Sequence, residues 1–363
     1  MRDPEFSRII QSPDFYAWDN WGFLTSAEKI HIYAQFCPRS SCRVPEERYW
    51  QAEIRHFYSE DNGGHWYDEG TVLSANQDPS SFDSCAIWSG SALPVSDRRV
   101  LMAYTGLKSP GSDQQIPGRH YAFQSIGLAV SDDGGWTFTR SSTPLIDAEK
   151  QYDQLRQLGY YFGPKNTLGM IDEADGTFMT MRDPFLFLDD GCLHLFFGAK
   201  TTVRINGNET IRNAVGHAKI WDLNRPDQYS LCQPILFSDE TDFNQCELPN
   251  VFRIGSYYYL VISATMLHYI GEPDDQVDKT VRIYRSKSID RGWEPFGIQG
   301  RHILLENRRD RLYGLNILKS CCQTNRLAAR AFVVGESFLP DTIYLNIHRE
   351  HADVEIARGD QGL

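Results

Sequence analysis

Long helical periodicity is nearly absent from this chain, and that absence limits its fold more than any other feature of the sequence. Short apolar runs recur instead: residues 29–34, 99–104, 126–130, 192–197, 257–262 and 281–284. Several alternate apolar with polar residues and are rich in Tyr, Phe, Val and Ile, the side chains that suit a pleated, half-buried surface. Between them stand Asp61-Asn62-Gly63-Gly64, Asp132-Asp133-Gly134-Gly135, Asp189-Asp190-Gly191 and Asn206-Gly207-Asn208. Asn or Asp ahead of Gly supplies the positive φ angles of tight hairpins. Such a chain is expected to be all-β: a sandwich, a barrel or a propeller.

A weak repeat favours the propeller. Asp61 to Trp66, Asp132 to Trp136 and Asp290 to Trp293 share an order of acid, glycine and tryptophan, each after a strand-like run. Recurring turns of one kind suit propeller blades, although a common hairpin turn can also recur by chance. The best helical stretch is 147–158, stopped by Gly159 and placed on a connection between strands. No Pro-, Gly- or Ser-rich linker divides the chain, so residues 7–363 read as a single domain. Residues 1–6, Met-Arg-Asp-Pro-Glu-Phe, read like translated cloning sites and are left out of the fold reasoning.

The formal net charge of -12 and the lack of any Lys/Arg-rich run argue against nucleic acid or an anionic membrane as partner. No apolar stretch is long enough to span a bilayer, which points to a soluble protein, secreted or cytoplasmic. The eight cysteines form no CxxC pair and no Cys/His cluster with zinc spacing, so no metal and no cofactor is expected. Cys37 and Cys42 flank a loop short enough to bridge, or both stay free. Most of the other cysteines sit in or beside apolar runs and read as buried thiols.

Three carboxylates stand out. Asp19 lies between Trp18 and Trp21. A carboxylate among indoles costs free energy unless it is hydrogen-bonded or used, and aromatic faces beside an acid suit a sugar ring. Asp183 follows Arg182 and precedes Pro184, which disfavours helix at the acid. Glu247 precedes Pro249 at the start of another apolar run. Trp88-Ser89-Gly90-Ser91-Ala92 adds an aromatic face, small hydroxyls and a glycine. Taken singly, each acid reads more simply as a solvated turn or a structural ion pair. Together they match retaining glycoside cleavage. One carboxylate attacks the anomeric carbon, and a second carboxyl group, its pKa raised by burial or a negative neighbour, protonates the leaving oxygen.

Trp18-Asp19, the Trp88 to Ala92 run, Arg182-Asp183-Pro184 and Glu247 with Pro249-Asn250-Val251-Phe252 together resemble the motifs of the levansucrases and inulosucrases, glycoside hydrolase family 68. The resemblance spans nearly the whole chain and thins after Tyr313. It implies a five-bladed β-propeller with a central, funnel-shaped site and fructosyl transfer from sucrose, to water or to another sugar such as a fructooligosaccharide. Matched residue by residue, it implies Asp19 as nucleophile, Glu247 as general acid/base and Asp183 as transition-state stabiliser beside Arg182. Trp18, Trp88 and Ser89 would form the fructose wall, and Tyr313 would stand near the acid. Gln245 takes a position that many members fill with Glu, which removes one source of a raised pKa at Glu247. His268 is the only stand-in for a glucose-site Arg or His. Asn244 replaces an Asp that commonly binds calcium. These departures leave a fructan- or other furanoside-active enzyme, or a sugar-binding propeller without catalysis, as alternatives.

Overall fold

The turn signals and alternating runs resolve into strands that pair almost entirely with their sequence neighbours. The computed structural model describes residues 13–27, 29–61, 63, 65–109, 122–163, 180–237, 243–268, 276–297, 302–307, 312–321, 326–333, 343–348 and 353–358. Among them are five antiparallel sheets, each made from consecutive strands. The first holds β1 (Phe15–Leu24), β2 (Ile30–Pro38), β3 (Glu53–Ser59) and β4 (Tyr67–Leu73). The second holds β5 (Ala86–Pro94), β6 (Val100–Lys108), β7 (Phe123–Ser131) and β8 (Thr139–Arg140), with β9 (Ile146–Asp147) also on β7. The third holds β10 (Met181–Asp189), β11 (Cys192–Ile205), β12 (Asn208–Ile220) and β13 (Tyr229–Leu231). The fourth holds β14 (Gln245–Ile254), β15 (Tyr257–Met266), β16 (Asp278–Ser286) and β17 (Glu294–Pro295), with β18 (Ile303–Glu306) also on β16. The fifth holds β19 (Leu312–Cys321), β20 (Arg326–Val333), β21 (Ile343–His348) and β22 (Asp353–Arg358).

The sheets pack face to face in chain order. Trp21 and Tyr33 of the first sheet share a core with Ile87 and Met102 of the second. Leu101 and Leu128 of the second meet Leu195 and Phe197 of the third. Phe196 and Val215 of the third meet Ile262 and Tyr284 of the fourth. Val261 and Ile283 of the fourth meet Leu315 and Leu345 of the fifth. Leu318 of β19 then packs on Ile30, Ile32 and Phe57, returning the chain to the first sheet. Each such buried side chain contributes about 1.5–3 kcal/mol. The first strands β1, β5, β10, β14 and β19 lie next to one another in succession, and β19 touches β1. The arrangement is an all-β propeller.

The repeated acid, glycine and tryptophan turns occupy one structural position. Each follows the third strand of its sheet, and each is tied to the serine that ends that strand. Gly63 donates its N–H to Ser59 Oγ, Gly135 to Ser131 Oγ, and Ser286 Oγ donates to the Arg291 carbonyl. The helical expectation over 147–158 shrinks at its front end. Ile146–Asp147 pairs as β9, and α1 spans Tyr152–Leu158, ended by Gly159 at φ 101°. Cys37 and Cys42 are free thiols with their sulfurs 3.5 Å apart. Cys192 and Cys246 are buried, whereas Cys85 and Cys232 are only partly so. Residues 1–6 lie outside the described residues, and no helix among the described residues is long and apolar enough to cross a membrane.

Candidate active site

Every first strand carries one extra residue against its partner, at the same level. The register slips between Ala17 and Asn20, Trp88 and Gly90, Arg182 and Phe185, Glu247 and Asn250, and Tyr313 and Asn316. A bulge of this kind bends its strand and re-aims the side chains around it. Asp19, Ser89, Asp183, Glu247 and Tyr313 all stand on or beside these five bulges. Two of them share a mechanism. Asp183 precedes Pro184 and Leu248 precedes Pro249, and both residues take positive φ, 57° and 49°. The helix that Pro184 disfavours is absent at Asp183, which takes a left-handed φ within its strand. Such angles are uncommon outside glycine and cost on the order of 1–3 kcal/mol each. Gly90 serves close approach more than flexibility, since a Cβ there would lie 2.0 Å from the Ala103 carbonyl oxygen.

Side chains tie the bulges together. Thr105 Oγ1 donates to the Ser89 carbonyl at 3.0 Å and accepts from the Asp183 N–H at 2.9 Å. The Leu248 N–H donates to Asp183 Oδ2 at 3.3 Å. The Asn250 amide donates to the Leu248 and Leu315 carbonyls and accepts from the Ile317 N–H. Each contact satisfies a buried backbone group that a bulge removes from the ladder.

The structure brings Asp183, Glu247, Arg182, Gln245 and Tyr313 into one hydrogen-bonded group. Arg182 donates to Glu247 Oε1 at 2.7 Å and to Gln245 Oε1 at 2.9 Å, and its Nε lies 3.6 Å from Asp183 Oδ2. Tyr313 donates to Glu247 Oε2 at 2.5 Å, and Thr265 Oγ1 lies 2.6 Å from the same phenol oxygen. Asp19 joins from the other side. Ser89 Oγ lies 2.5 Å from Asp19 Oδ2 and 2.9 Å from Gln35 Oε1, and its single proton serves the shorter contact. Glu247 keeps 24% of its side chain open, while Asp183 and Arg182 are enclosed at 5% and 9%. Asp19 also keeps part of its surface open. Asp19 and Glu247 are thus the more open of the three acids, and Asp183 the most enclosed.

An aromatic wall flanks Asp19. Trp18 stands edge-on to Tyr49, with centroids 5.8 Å apart. Trp88 donates its indole N–H to the Tyr49 carbonyl and lies 6.0 Å from Trp50. Trp21 is not part of this wall: the bulge at Trp18-Asp19 turns it into the core, where it is 1% exposed. His268 lies exposed just past the end of β15. Several residues here escape a motif search. Tyr49 and Trp50 come from a 3₁₀ turn (Pro45–Trp50), Gln35 from β2, Thr105 from β6, Thr265 from β15 and Lys279 from β16. Lys279 sits 5.4 Å from the Tyr313 ring, and its charge bears on both Asp19 and Glu247.

The electrostatics divide the acids in a way the sequence reading does not anticipate. Burial raises Asp19 from an ordinary 3.8 to about 6, and the Ser89 hydrogen bond opposes the rise. Burial also raises Asp183, against the pull of Arg182 and with a push from Glu247 and Asp19. Burial pushes Glu247 upward too, but Arg182 and the Tyr313 hydrogen bond outweigh it and hold Glu247 below its ordinary range. The expected raised acid/base is therefore not what the sugar-free geometry provides. Gln245 is part of the reason, since it shares the guanidinium without sharing its charge. At position 244 the backbone carbonyl accepts from the buried Lys200 ammonium, which also donates to Asn213. Among the described residues, His217, Cys232 and Asp290 offer a metal ion three ligand atoms, away from the first strands.

Residues 3–224 match the family model described as Levansucrase/Invertase. A levansucrase of Streptococcus mutans is 22% identical over 295 residues, covering 67% of this chain and 34% of that protein. The chain thus spans about a third of the length of that relative. Among solved structures, an inulosucrase from Halalkalicoccus jeotgali bound to kestose superposes with a TM-score of 0.66 at 20% identity, covering 95% of this chain and 88% of that one. Bacillus subtilis levansucrase superposes with a TM-score of 0.64 at 16% identity, covering 100% and 92%. The matched segment takes in the Asp19, Trp88 to Ala92 and Arg182-Asp183-Pro184 motifs, and by that match the chain belongs to the levansucrase and invertase family of glycoside hydrolases.

Proposed function

We propose that this single-domain chain moves fructosyl units from sucrose to water or to a sugar acceptor, at a funnel around which its five sheets stand as blades. Asp19 is the nucleophile. Its Oδ2 is held by Ser89, which leaves Oδ1 to form a bond to the anomeric carbon of the fructosyl unit. The bond from that carbon to the glucosyl oxygen breaks, and Glu247 protonates the departing oxygen. In the second half, Glu247 takes a proton from water or from an acceptor hydroxyl, whose oxygen displaces Asp19. Asp183, enclosed beside Arg182, binds fructose hydroxyls as positive charge grows on the ring. Trp18 and Trp88 supply the apolar walls, and Tyr313 and Gln245 position Glu247 and Arg182.

The proton must be loaded onto Glu247 as the donor binds, because Arg182 and Tyr313 favour its ionised form in the sugar-free site. A donor hydroxyl that draws either group away from Glu247 removes that bias. The observation that carries the proposal is the convergence of Asp19, Asp183 and Glu247 from three separate first strands, close enough for Glu247 to raise Asp19 and for Glu247 and Asp19 to raise Asp183. The wider family supports it: a levansucrase has been solved in complex with sucrose, and a Bacillus subtilis levansucrase with oligosaccharides. The test is incubation with sucrose, with glucose and fructose measured separately. Excess glucose means transfer and equal amounts mean hydrolysis, while neither sugar appearing sinks the proposal for sucrose. The neutral Gln245 motivates a second reading, a fructan- or other furanoside-active enzyme, which a panel of fructans and aryl furanosides would reveal.

A further inference from the structure

Between the third and fourth sheets, away from the carboxylates, a second polar cluster is built. His217 lies on β12 and is fully buried. Its ring is stacked on Phe196, with centroids 4.6 Å apart at 5°, and its Nε2 lies 2.9 Å from His194 Nδ1. Its other nitrogen, Nδ1, is buried without a hydrogen-bond partner. That nitrogen faces Asp290 Oδ1 at 3.4 Å, across the gap to the turn that follows β16. Cys232, just after β13, is held beside it by the backbone. The Cys232 N–H donates to the His217 carbonyl, and the Tyr160 hydroxyl accepts from the His217 N–H and donates to the Cys232 carbonyl. The ligand atoms of His217, Cys232 and Asp290 all lie within 4.8 Å of one another.

We infer that this cluster is a binding site for a soft divalent cation of the zinc type, held by His217 Nδ1, Cys232 Sγ and Asp290 Oδ1. Imidazole, thiolate and carboxylate are the donors such ions take, with a water completing four-coordination. Zinc-to-donor bonds of about 2.0–2.3 Å require the three atoms to draw together by roughly 1 Å. Two supports are already in place. The contact with His194 Nδ1 accommodates the His217 tautomer that carries its proton on Nε2, and in that tautomer Nδ1 keeps a lone pair, as a ligating histidine requires. Tyr160 fixes the backbone under two of the three ligands. Binding converts the Cys232 thiol to thiolate, and the proton leaves to solvent. The competitor is internal: Lys219 Nζ lies 2.9 Å from Asp290 and places a positive charge beside the same carboxylate. A bound ion would clamp the third sheet to the fourth.

Titration of the whole protein with cobalt(II) tests this, with the sulfur-to-cobalt charge-transfer band as readout. The expected result is a band that saturates at one ion per chain, disappears in Cys232→Ser, and weakens at least about tenfold in apparent affinity in Asp290→Asn, whose exposed turn leaves folding undisturbed. Zinc(II) should displace the cobalt and raise the melting temperature by several degrees. A band that persists in Cys232→Ser overturns the site. So does a band absent from both the native chain and Lys219→Met. A band seen only in Lys219→Met overturns it for the native chain, because the ammonium is then the cation this cluster holds.

Discussion

The Asp19 side and the Glu247 side of the carboxylate group both bury an acid, and they shift its pKa in opposite directions. On the Asp19 side the partners are neutral: a serine hydroxyl, a glutamine amide beyond it and indole walls. On the Glu247 side they are a guanidinium and a phenol, each aimed at one carboxylate oxygen. Desolvation favours the protonated form on both sides. Only the second side has donors strong enough to reverse it. Partner chemistry, more than depth, therefore decides the direction in which each acid is shifted.

The largest test of this contrast removes the acids themselves. Asp19→Asn should lower kcat by at least about 10⁴-fold, measured as sugar release from sucrose. Glu247→Gln should cost about 10²–10⁴-fold on sucrose. That loss should shrink strongly with an aryl fructoside, whose leaving group needs little protonation; an undiminished loss would show that Glu247 is not the acid. The same Asp19→Asn change should raise stability. A carboxyl lifted from 3.8 to about 6 is costly when ionised, by about 1–3 kcal/mol at pH 7. That cost is absent below the unfolded value and appears as pH rises toward the folded one. The variant should therefore melt several degrees higher at pH 7 and no higher at pH 4.

Smaller effects would sharpen the comparison. Arg182→Met strips Glu247 of its main counter-charge, so burial prevails and its pKa rises. Beside Asp19, Glu247 has the lower pKa and so sets the acid limb of kcat/KM; that limb should move to higher pH, and a limb that stays put would mean that Arg182 does not set it. Ser89→Ala removes the one hydrogen bond that holds Asp19 down. Because Asp19 has the higher pKa of the pair, it sets the basic limb, expected near pH 6, which should then move upward by about one pH unit or less.

Much of the frame was legible in the sequence. All six apolar runs are strands, and they fall on the second or third strand of a sheet, where side chains are buried on both faces. The acid, glycine and tryptophan repeat marks a real position because a serine at the end of the third strand ties each turn. Even so, the repeat hides a divergence. After the second sheet's third strand the turn sets Trp136 edge-on against His31 and His56. After the fourth sheet's third strand it sets Asp290 against His217. The bulges were not legible, since a one-residue phase shift shows only against a clean alternation, and these first strands are buried or half-buried on both faces. The X-Pro pairs at Asp183-Pro184 and Leu248-Pro249 were the one available hint. Trp21 misled because its neighbour Trp18 faces the opposite way. Gln35, Thr265 and Lys279 sit in ordinary-looking strands, and only pairing shows them beside the acids.

The five slipped registers make chain length beside the acids a matter of parity. Side chains alternate along a strand, so removing a single residue between Ala17 and Asn20 would force a choice: the acid keeps its inward aim, or the core tryptophan keeps its seat, but not both. The same holds at the other four strands. Insertions and deletions should therefore be tolerated in the outer turns and excluded from these short spans, which a scan of single-codon deletions would map as narrow intolerant windows around Asp19, Ser89, Asp183, Glu247 and Tyr313.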